Sequence, residues 1–385
     1  MTARPSWASA REIARDAAHA LATEEVRLAD ALGRRLATDV TSAQDIPHYA
    51  SSAMDGWAVA GPGPWRLTGS QHLDDGGATV IATGGVVPAG TTGVLRREFG
   101  SVEAGLLRRT ADAAEGEPGP GTHVRPAGTE AATGDVLITA GTVINPVHLA
   151  VAAAGGHDSV SVVTRPRVAL VLTGDEVVDT GLPLPGQVRD SFRYQLPAII
   201  DGLGARVVST VRARDTLADT VAALGRIGAA HDLVVITGGT GLSDADHVRA
   251  ALGELGATFL VDSVAMRPGS PSMLARLPDG RLAVALPGNP LAAVMGLLTL
   301  IDPLIAGLLG APPRELMEVR SAQPVRGHPT ATLLAPCVLV GGVAETTQWR
   351  GSGMLRGLAD ATAVLVVPPG NRESGSTYAL PLPWC

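Results

Sequence analysis

Asp232 to Asp246 reads DLVVITGGTGLSDAD, and the fold is read outward from this stretch. The apolar run Leu233 to Ile236 is closed by Thr237-Gly238-Gly239-Thr240-Gly241. A short apolar run ended by glycines reads as a buried strand entering a tight turn. Val248, Ala251, Leu252 and Leu255 then recur at helical spacing, so the turn opens a helix. The free N–H groups and positive dipole end of a helix start suit an anion. Glycines let the backbone approach a phosphate closely, and Asp244 and Asp246 could hold a divalent cation beside it. Taken alone, the stretch fits an ordinary strand–turn–helix with solvated aspartates about equally well. A second such turn, Leu172-Thr173-Gly174-Asp175-Glu176, follows another apolar run and favours the phosphate site.

The same alternation extends on both sides. VALVL (168–172) is a strand, and Arg189-Asp190-Ser191 starts a helix carrying Leu196, Ile199, Ile200 and Leu203. Residues 205–211 read as a strand, 217–227 as a helix, 245–255 as a helix and 281–286 as a strand. Pro287-Gly288-Asn289-Pro290 follows, and then an apolar helix over 291–309. Strands alternating with helices of this length predict a parallel sheet covered on both faces. Ligands of such sheets bind beyond the carboxyl ends of the strands. The turns at 173–176, 237–241 and 287–290 all follow strands, so all three fall on that one edge.

The flanks read differently. Residues 8–21 put Ile13, Ala17 and Leu21 on one face of a helix. Asp45 to Val59 is a loop running into a strand at Trp57, and by spacing alone Asp55 caps a polar turn there. Residues 60–133 hold strand-length runs between turn signals, which predicts a small β-rich domain. Residues 135–138 make a strand and 146–154 a helix. After the Pro312-Pro313 linker, residues 319–382 show short strands that suggest a small β domain or barrel.

Composition narrows the function classes. A length of 385 residues predicts about two to three domains. Aromatic residues are only 3%, so the cores are built from Val, Leu, Ile and Ala. The net charge of −7, with no long basic run, argues against nucleic acid as a partner. Cys337 and Cys385 form neither a metal-ligand spacing nor a disulfide framework. No apolar stretch is read as reaching the roughly 18 residues that span a membrane. The charged, amphipathic start is not a signal peptide, so a cytoplasmic protein without a membrane partner is expected. All 30 basic residues are arginines; the chain has no lysine.

Seven segments together resemble the molybdopterin molybdenumtransferases, or molybdenum insertases, the family of the bacterial enzymes and the gephyrin E domain. They are DIPHYASSAMDGWAV, IATGGVVPAG, RPRVALVLTGDEV, ITGGTGLSDAD, MRPGSP, LPGNP and GSGML, in the family's order and spacing across nearly the whole chain. The resemblance implies an α/β multidomain fold in an elongated chain. Residues 1–45 with 135–164 would form an extended arm used in dimerisation, and 46–134 an inserted β-rich domain. Residues 165–310 would form a three-layer α/β molybdopterin-binding domain, and 311–385 a C-terminal β-barrel. The arm segments look too poor in apolar residues to bury a core alone, which agrees with a homodimer. The implied reaction inserts molybdate into adenylylated molybdopterin, releases AMP and is assisted by Mg²⁺. The implied partners beyond a second copy are a molybdopterin adenylyltransferase and the apoproteins of molybdenum enzymes.

The resemblance also assigns residues. Asp55, Glu176 and Asp246 match the family's catalytic carboxylates, and Glu176, Asp215 and Asp246 its cation ligands. Thr83, Thr173, Gly174, Gly238, Gly239, Thr240, Gly241, Pro287, Gly288, Asn289, Pro290 and Ser352 fall at substrate-binding positions. Acidic groups suit a cation that screens a pyrophosphate and activates a water or molybdate oxygen.

Three departures from the family stand out. Its usual GED is Gly128-Thr129-Glu130 here, and its GGVSVG is Gly239-Thr240-Gly241-Leu242-Ser243, closer to the TGGTG of molybdopterin adenylyltransferases. Its MKPGKP is Met266-Arg267-Pro268-Gly269-Ser270-Pro271, so Arg267 and Ser270 replace both lysines. An arginine keeps the charge with a different geometry, whereas a serine keeps none. Arg249 and Arg276 are the arginines considered as replacements. The alternatives are an adenylyltransferase-like activity and a molybdopterin-binding paralogue without turnover.

Overall fold

Alternate residues of the strand Arg167–Leu172 (β1) serve two different cores. Val168, Leu170 and Leu172 join one buried cluster, and Ala169 and Val171 the other. Side chains of a strand alternate between faces, so a strand buried on both sides belongs to the middle layer of three. The computed structural model describes residues 4–241, 247–370 and 375–385. They fall into two units, one of residues 1–24 with 163–385 and one of residues 25–162.

In the larger unit the remaining elements are β2 (Val177–Val178), β3 (Val188–Arg189), β4 (Arg206–Arg212) and β5 (Leu233–Thr237). They continue with β6 (Thr258–Val261), β7 (Met273–Arg276) and β8 (Leu282–Leu286). The sheet order is β4-β1-β5-β8-β7-β6. β4, β1, β5 and β8 are parallel, and β7 and β6 finish the sheet antiparallel. The helices are α1 (Trp7–Asp16), α2 (Phe192–Gly202), α3 (Leu217–Arg226), α4 (Val248–Glu254), α5 (Pro290–Gly296) and α6 (Asp302–Leu308). α1, α2, α5 and α6 supply the first cluster, and α3 and α4 the second. The three-layer α/β arrangement expected from the strand–helix alternation is present.

Two expectations are corrected in this unit. Residues 1–24 belong here and not with the arm. Trp7, Ala10 and Ala14 are buried in the α/β core, and the Trp7 indole donates to Thr299 Oγ1 at 3.0 Å. Arg11 completes the attachment: its guanidinium donates to the Leu298 carbonyl and, at 3.3 Å, to the Asp302 carboxylate. Second, the helical run Pro290–Leu308 spans 19 residues and is long and apolar enough to cross a membrane. It is a core helix, because 89% of its apolar window lies inside the protein. A π-helical turn at Leu297–Ile301 interrupts the run. Pro303 cannot donate to the Thr299 carbonyl and its ring would press on it, and the wider turn relieves that clash.

The C-terminal part of this unit closes five strands into a barrel. The order is Thr332–Val340, Val343–Thr346, Met317–Ser321, Ser376–Pro381 and Ala363–Val367, which pairs back with Thr332–Val340. The two-residue strand Met266–Arg267 adds to the edge of Thr332–Val340. Cys337 is buried in the barrel core, and burial pushes its thiol up to about 11.

The 25–162 unit carries its own six-stranded sheet, ordered Gly93–Arg96, Gly56–Val59, Gly77–Ile81, Trp65–Leu67, Leu106–Arg109, Gly100–Glu103. Its faces are filled by Ala58, Leu73 and Val94 on one side and Val59, Trp65 and Leu107 on the other. The arm segments bury a core as well, contrary to expectation. Leu36, Val40, Ile138, Ile144, Val160 and Val162 form it. Each segment is poor in apolar residues alone, but chain lengths far apart in sequence pool theirs.

Candidate functional site

The parallel strands bring three turns to one edge. The Thr173 hydroxyl donates to the Thr237 carbonyl at 2.7 Å, and the Gly238 N–H donates to the Leu286 carbonyl at 3.0 Å. The ends of β1, β5 and β8 are thus laced together. Gly238 has φ +83°, and a Cβ there would lie 2.5 Å from Thr173 Oγ1. Only glycine fits that position without moving the neighbouring turn.

These turns wall a cleft of about 710 Å³. Thr173, Gly174, Glu176, Asp215, Gly238, Gly239, Thr240, Gly241, Pro287, Gly288, Asn289 and Pro290 all line it. The structure thus brings together most residues that the sequence assigned to the α/β site. Asp215 Oδ2 accepts the Asp175 N–H at 3.0 Å, which fixes the TGDE turn against the loop after β4. Asn289 caps α5 with no side-chain hydrogen bond to the helix, so its amide remains available to the cleft. The Thr237 hydroxyl is buried in the wall and has no hydrogen-bond partner among the described residues.

Other expected residues lie elsewhere. Arg267, Ser270 and Ser352 do not line the cleft, although Pro271 and Gly353 beside them do. Ser270 Oγ donates to the Val264 carbonyl at 3.0 Å, and the Ser352 carbonyl accepts the Ala292 N–H at 3.0 Å. Arg249 is held by the Asp262 carboxylate, and Arg276 donates to the Ala17 carbonyl at 2.8 Å. Asp246 lies outside the described residues, as does Asp244. Among the described residues no group of three or more His, Cys, Asp or Glu side chains forms a metal centre.

Asp55 and Thr83 lie in the 25–162 unit, and they are paired. The Thr83 N–H and hydroxyl both donate to Asp55 Oδ1, at 2.7 and 2.9 Å. The two bonds favour the ionised carboxylate and hold Asp55 below the usual range. Gly56 follows at φ +151°, where a Cβ would meet the Leu95 carbonyl at 2.0 Å.

The sequence reading missed a polar cluster on the cleft's other wall. Arg189, Asp190, Ser191, Phe192 and Arg212 line it too. Arg212 donates to Asp190 at 2.5 Å and to Asp179 at 2.8 Å, and Asp190 is buried. By sequence, Arg189-Asp190-Ser191 reads only as a helix start. The strand-end rule could have flagged it, because the segment abuts the same edge.

Three family descriptions together match nearly the whole chain. "MoeA N-terminal region (domain I and II)" matches residues 5–156, "Probable molybdopterin binding domain" residues 169–307, and "MoeA C-terminal region (domain IV)" residues 318–377. A Nostoc protein named molybdopterin molybdenumtransferase is 32% identical over 377 residues, covering 90% of this chain and 85% of its own. The chain belongs to the molybdopterin molybdenumtransferase family. A Bacillus subtilis member of that name is 30% identical, covering 92% of this chain and 88% of its own. Among solved structures, a MoeA protein of molybdopterin biosynthesis from Pyrococcus horikosii aligns over 99% of both chains at 25% identity and a TM-score of 0.81. Apart from Gly353, the residues that line the cleft lie in the part matched as "Probable molybdopterin binding domain".

Proposed function

We propose that this chain inserts molybdate into adenylylated molybdopterin, forming the molybdenum cofactor and releasing AMP. One observation carries the reading: three strand-end turns, laced by Thr173, Thr237 and Gly238, converge on a cleft that also holds two carboxylates. Turns of this kind offer backbone N–H groups to phosphates without a covering side chain. The cleft is large enough for a nucleotide-sized ligand.

Glu176 and Asp215 fit a hydrated Mg²⁺, which takes one or two carboxylates together with substrate phosphate oxygens. They would hold the ion, and Asp246 is the family's third position. A bound Mg²⁺ supplies charge neutralisation to the pyrophosphate that is cleaved. The protein's own part is positional. Thr173 and Gly238 fix the turns, and Asp215 holds the Asp175 N–H. In the 25–162 unit, Asp55 is held below the usual carboxylate range by its Thr83 contacts, which suits it to accept hydrogen bonds and not to donate a proton.

A homodimer and a cytoplasmic setting are part of this reading. In the 25–162 unit, Leu32, Val136, Val143 and Val147 are all more than half exposed, which supports a further apolar contact. A second reading, a molybdopterin-binding paralogue without turnover, is favoured by Ser270. Its hydroxyl is spent on the Val264 carbonyl where the family has a lysine. Purified protein given adenylylated molybdopterin, Mg²⁺ and molybdate separates the two. Molybdate-dependent AMP release supports insertion. Substrate binding without release supports the paralogue, and adenylylation of molybdopterin in a parallel assay with ATP would replace both.

A further inference from the structure

The chain has no lysine, so any fixed cation in its site is an arginine. Most arginines near the α/β edge are already engaged. Arg249 is tied to Asp262, and Arg276 to main-chain carbonyls of Ala17 and Gly280. Arg212 lines the cleft, but Asp190 and Asp179 neutralise it. Arg193 pairs with the same Asp179. Arg267 lies outside the cleft wall.

Arg189 differs from all of these. It lines the cleft, is exposed, and has no ion pair among the described residues. Its backbone is nevertheless well held. β3 pairs with β2, Val178 opposite Arg189, and the next N–H, of Asp190, donates to the Val178 carbonyl at 3.0 Å. The buried Asp190 carboxylate accepts from Arg212 and from the Arg193 N–H, which fixes the segment from behind. A guanidinium on an anchored base, with its donors free, is suited to two oxygens of one anion. The same cleft contains a buried Thr237 hydroxyl without a partner among the described residues, and buried hydroxyls normally have one. With Glu176 and Asp215 committed to the cation proposed above, the oxyanion still needs a hydrogen-bond donor of its own.

Building on the function proposed above, we infer that Arg189 is the cation this cleft presents to a tetrahedral oxyanion of its substrates. Adenylate phosphate and molybdate share that chemistry.

Isothermal titration with AMP alone and with molybdate alone, in Mg²⁺ buffer, tests this on wild type, Arg189→Ala and Arg189→Lys. Arg189→Ala is expected to weaken at least one ligand by about ten- to hundred-fold, with Arg189→Lys in between. The melting temperature should be unchanged, because the side chain is exposed. Weakening confined to AMP assigns the phosphate, and weakening confined to molybdate assigns the metal oxyanion. Wild-type affinity of Arg189→Ala for both ligands overturns the inference. So does failure of wild type to bind either one at millimolar concentration. AMP release by wild type is measured alongside. Unchanged binding in Arg189→Ala with normal wild-type release removes the inference and leaves the function. Arg189-dependent binding in a protein that releases no AMP does the reverse.

Discussion

Thr173 and Thr237 meet at the ends of adjacent parallel strands, the hydroxyl of the first donating to the carbonyl of the second at 2.7 Å. This contact leaves no room for a side chain at the next residue, Gly238. The cleft's floor is therefore set by two threonines and a glycine before any ligand arrives. A preorganised turn costs nothing to align when substrate binds.

Gly238→Ala tests that floor. Its Cβ would press on Thr173 Oγ1 at 2.5 Å, and φ of +83° strains any L side chain. Stability should fall by about 1–3 kcal/mol in chemical denaturation. Molybdate-dependent AMP release should fall more than tenfold, following the displaced turn. Wild-type values for both would show that the lacing does not shape the cleft.

Asp55 offers a titration. Its carboxylate is held low first by the Thr83 N–H and then by the Thr83 hydroxyl. A depressed folded value stabilises the fold above the unfolded value of about 3.9, and the contribution is lost as pH falls through the folded value. Thr83→Val removes only the hydroxyl. The Asp55 carboxyl resonance should then titrate at higher pH than in wild type, though still below an ordinary aspartate. An unshifted midpoint would mean that the hydroxyl bond is absent in solution.

How far the sequence carries depends on whether the signal is local. Leu233 to Ile236 followed by glycines is a local pattern, and β5 and its turn lie where it placed them. The shared edge followed from the same logic. Pairings between distant segments were not legible. Nothing in residues 8–21 says which core receives the helix; that was decided by Thr299 and Asp302, almost three hundred residues away. Arg189 was missed for a related reason. Its freedom is apparent only once Asp190 and Asp179 are seen to occupy Arg212.

The Arg11–Asp302 pair is the clearest stability test of that distant attachment. Both side chains are almost withdrawn from water, with 9% and 4% exposed. Arg11→Met leaves Asp302 buried with only Arg314 nearby, at 3.6 Å. Loss of one partner of a buried pair costs about 3–5 kcal/mol. The double variant Arg11→Met, Asp302→Leu should recover part of that, because no buried carboxylate is left unpaired, although Arg314 then loses its contact. A double variant as unstable as the single one would place the loss in the Leu298 carbonyl contact instead.

Cys337 should behave as an inert core thiol. Burial raises it to about 11, so at pH 8 it is protonated and shielded. An aromatic disulfide reagent should label one thiol per native chain, the exposed Cys385, and two in denaturant. Raising the pH from about 8.5 towards 11 ionises the unfolded thiol but not the folded one, so stability falls across that window. Fast labelling of both thiols in the native state would show that the barrel core opens readily.

Asp215 separates charge from geometry at the cation site. Its Oδ2 accepts the Asp175 N–H at 3.0 Å, and an asparagine amide oxygen can take the same bond. Asp215→Asn thus keeps the turn and removes the charge, whereas Asp215→Ala loses both. If Asp215 holds Mg²⁺ with Glu176, the Mg²⁺ concentration for half-maximal AMP release should rise by about tenfold or more in Asp215→Asn, the scale of one charged contact. The melting temperature without Mg²⁺ should stay at the wild-type value. In Asp215→Ala both should change, since the Asp175 N–H loses its acceptor. An unaltered Mg²⁺ midpoint in Asp215→Asn, with lower activity in Asp215→Ala alone, would make Asp215 a residue that positions the turn and not a metal ligand.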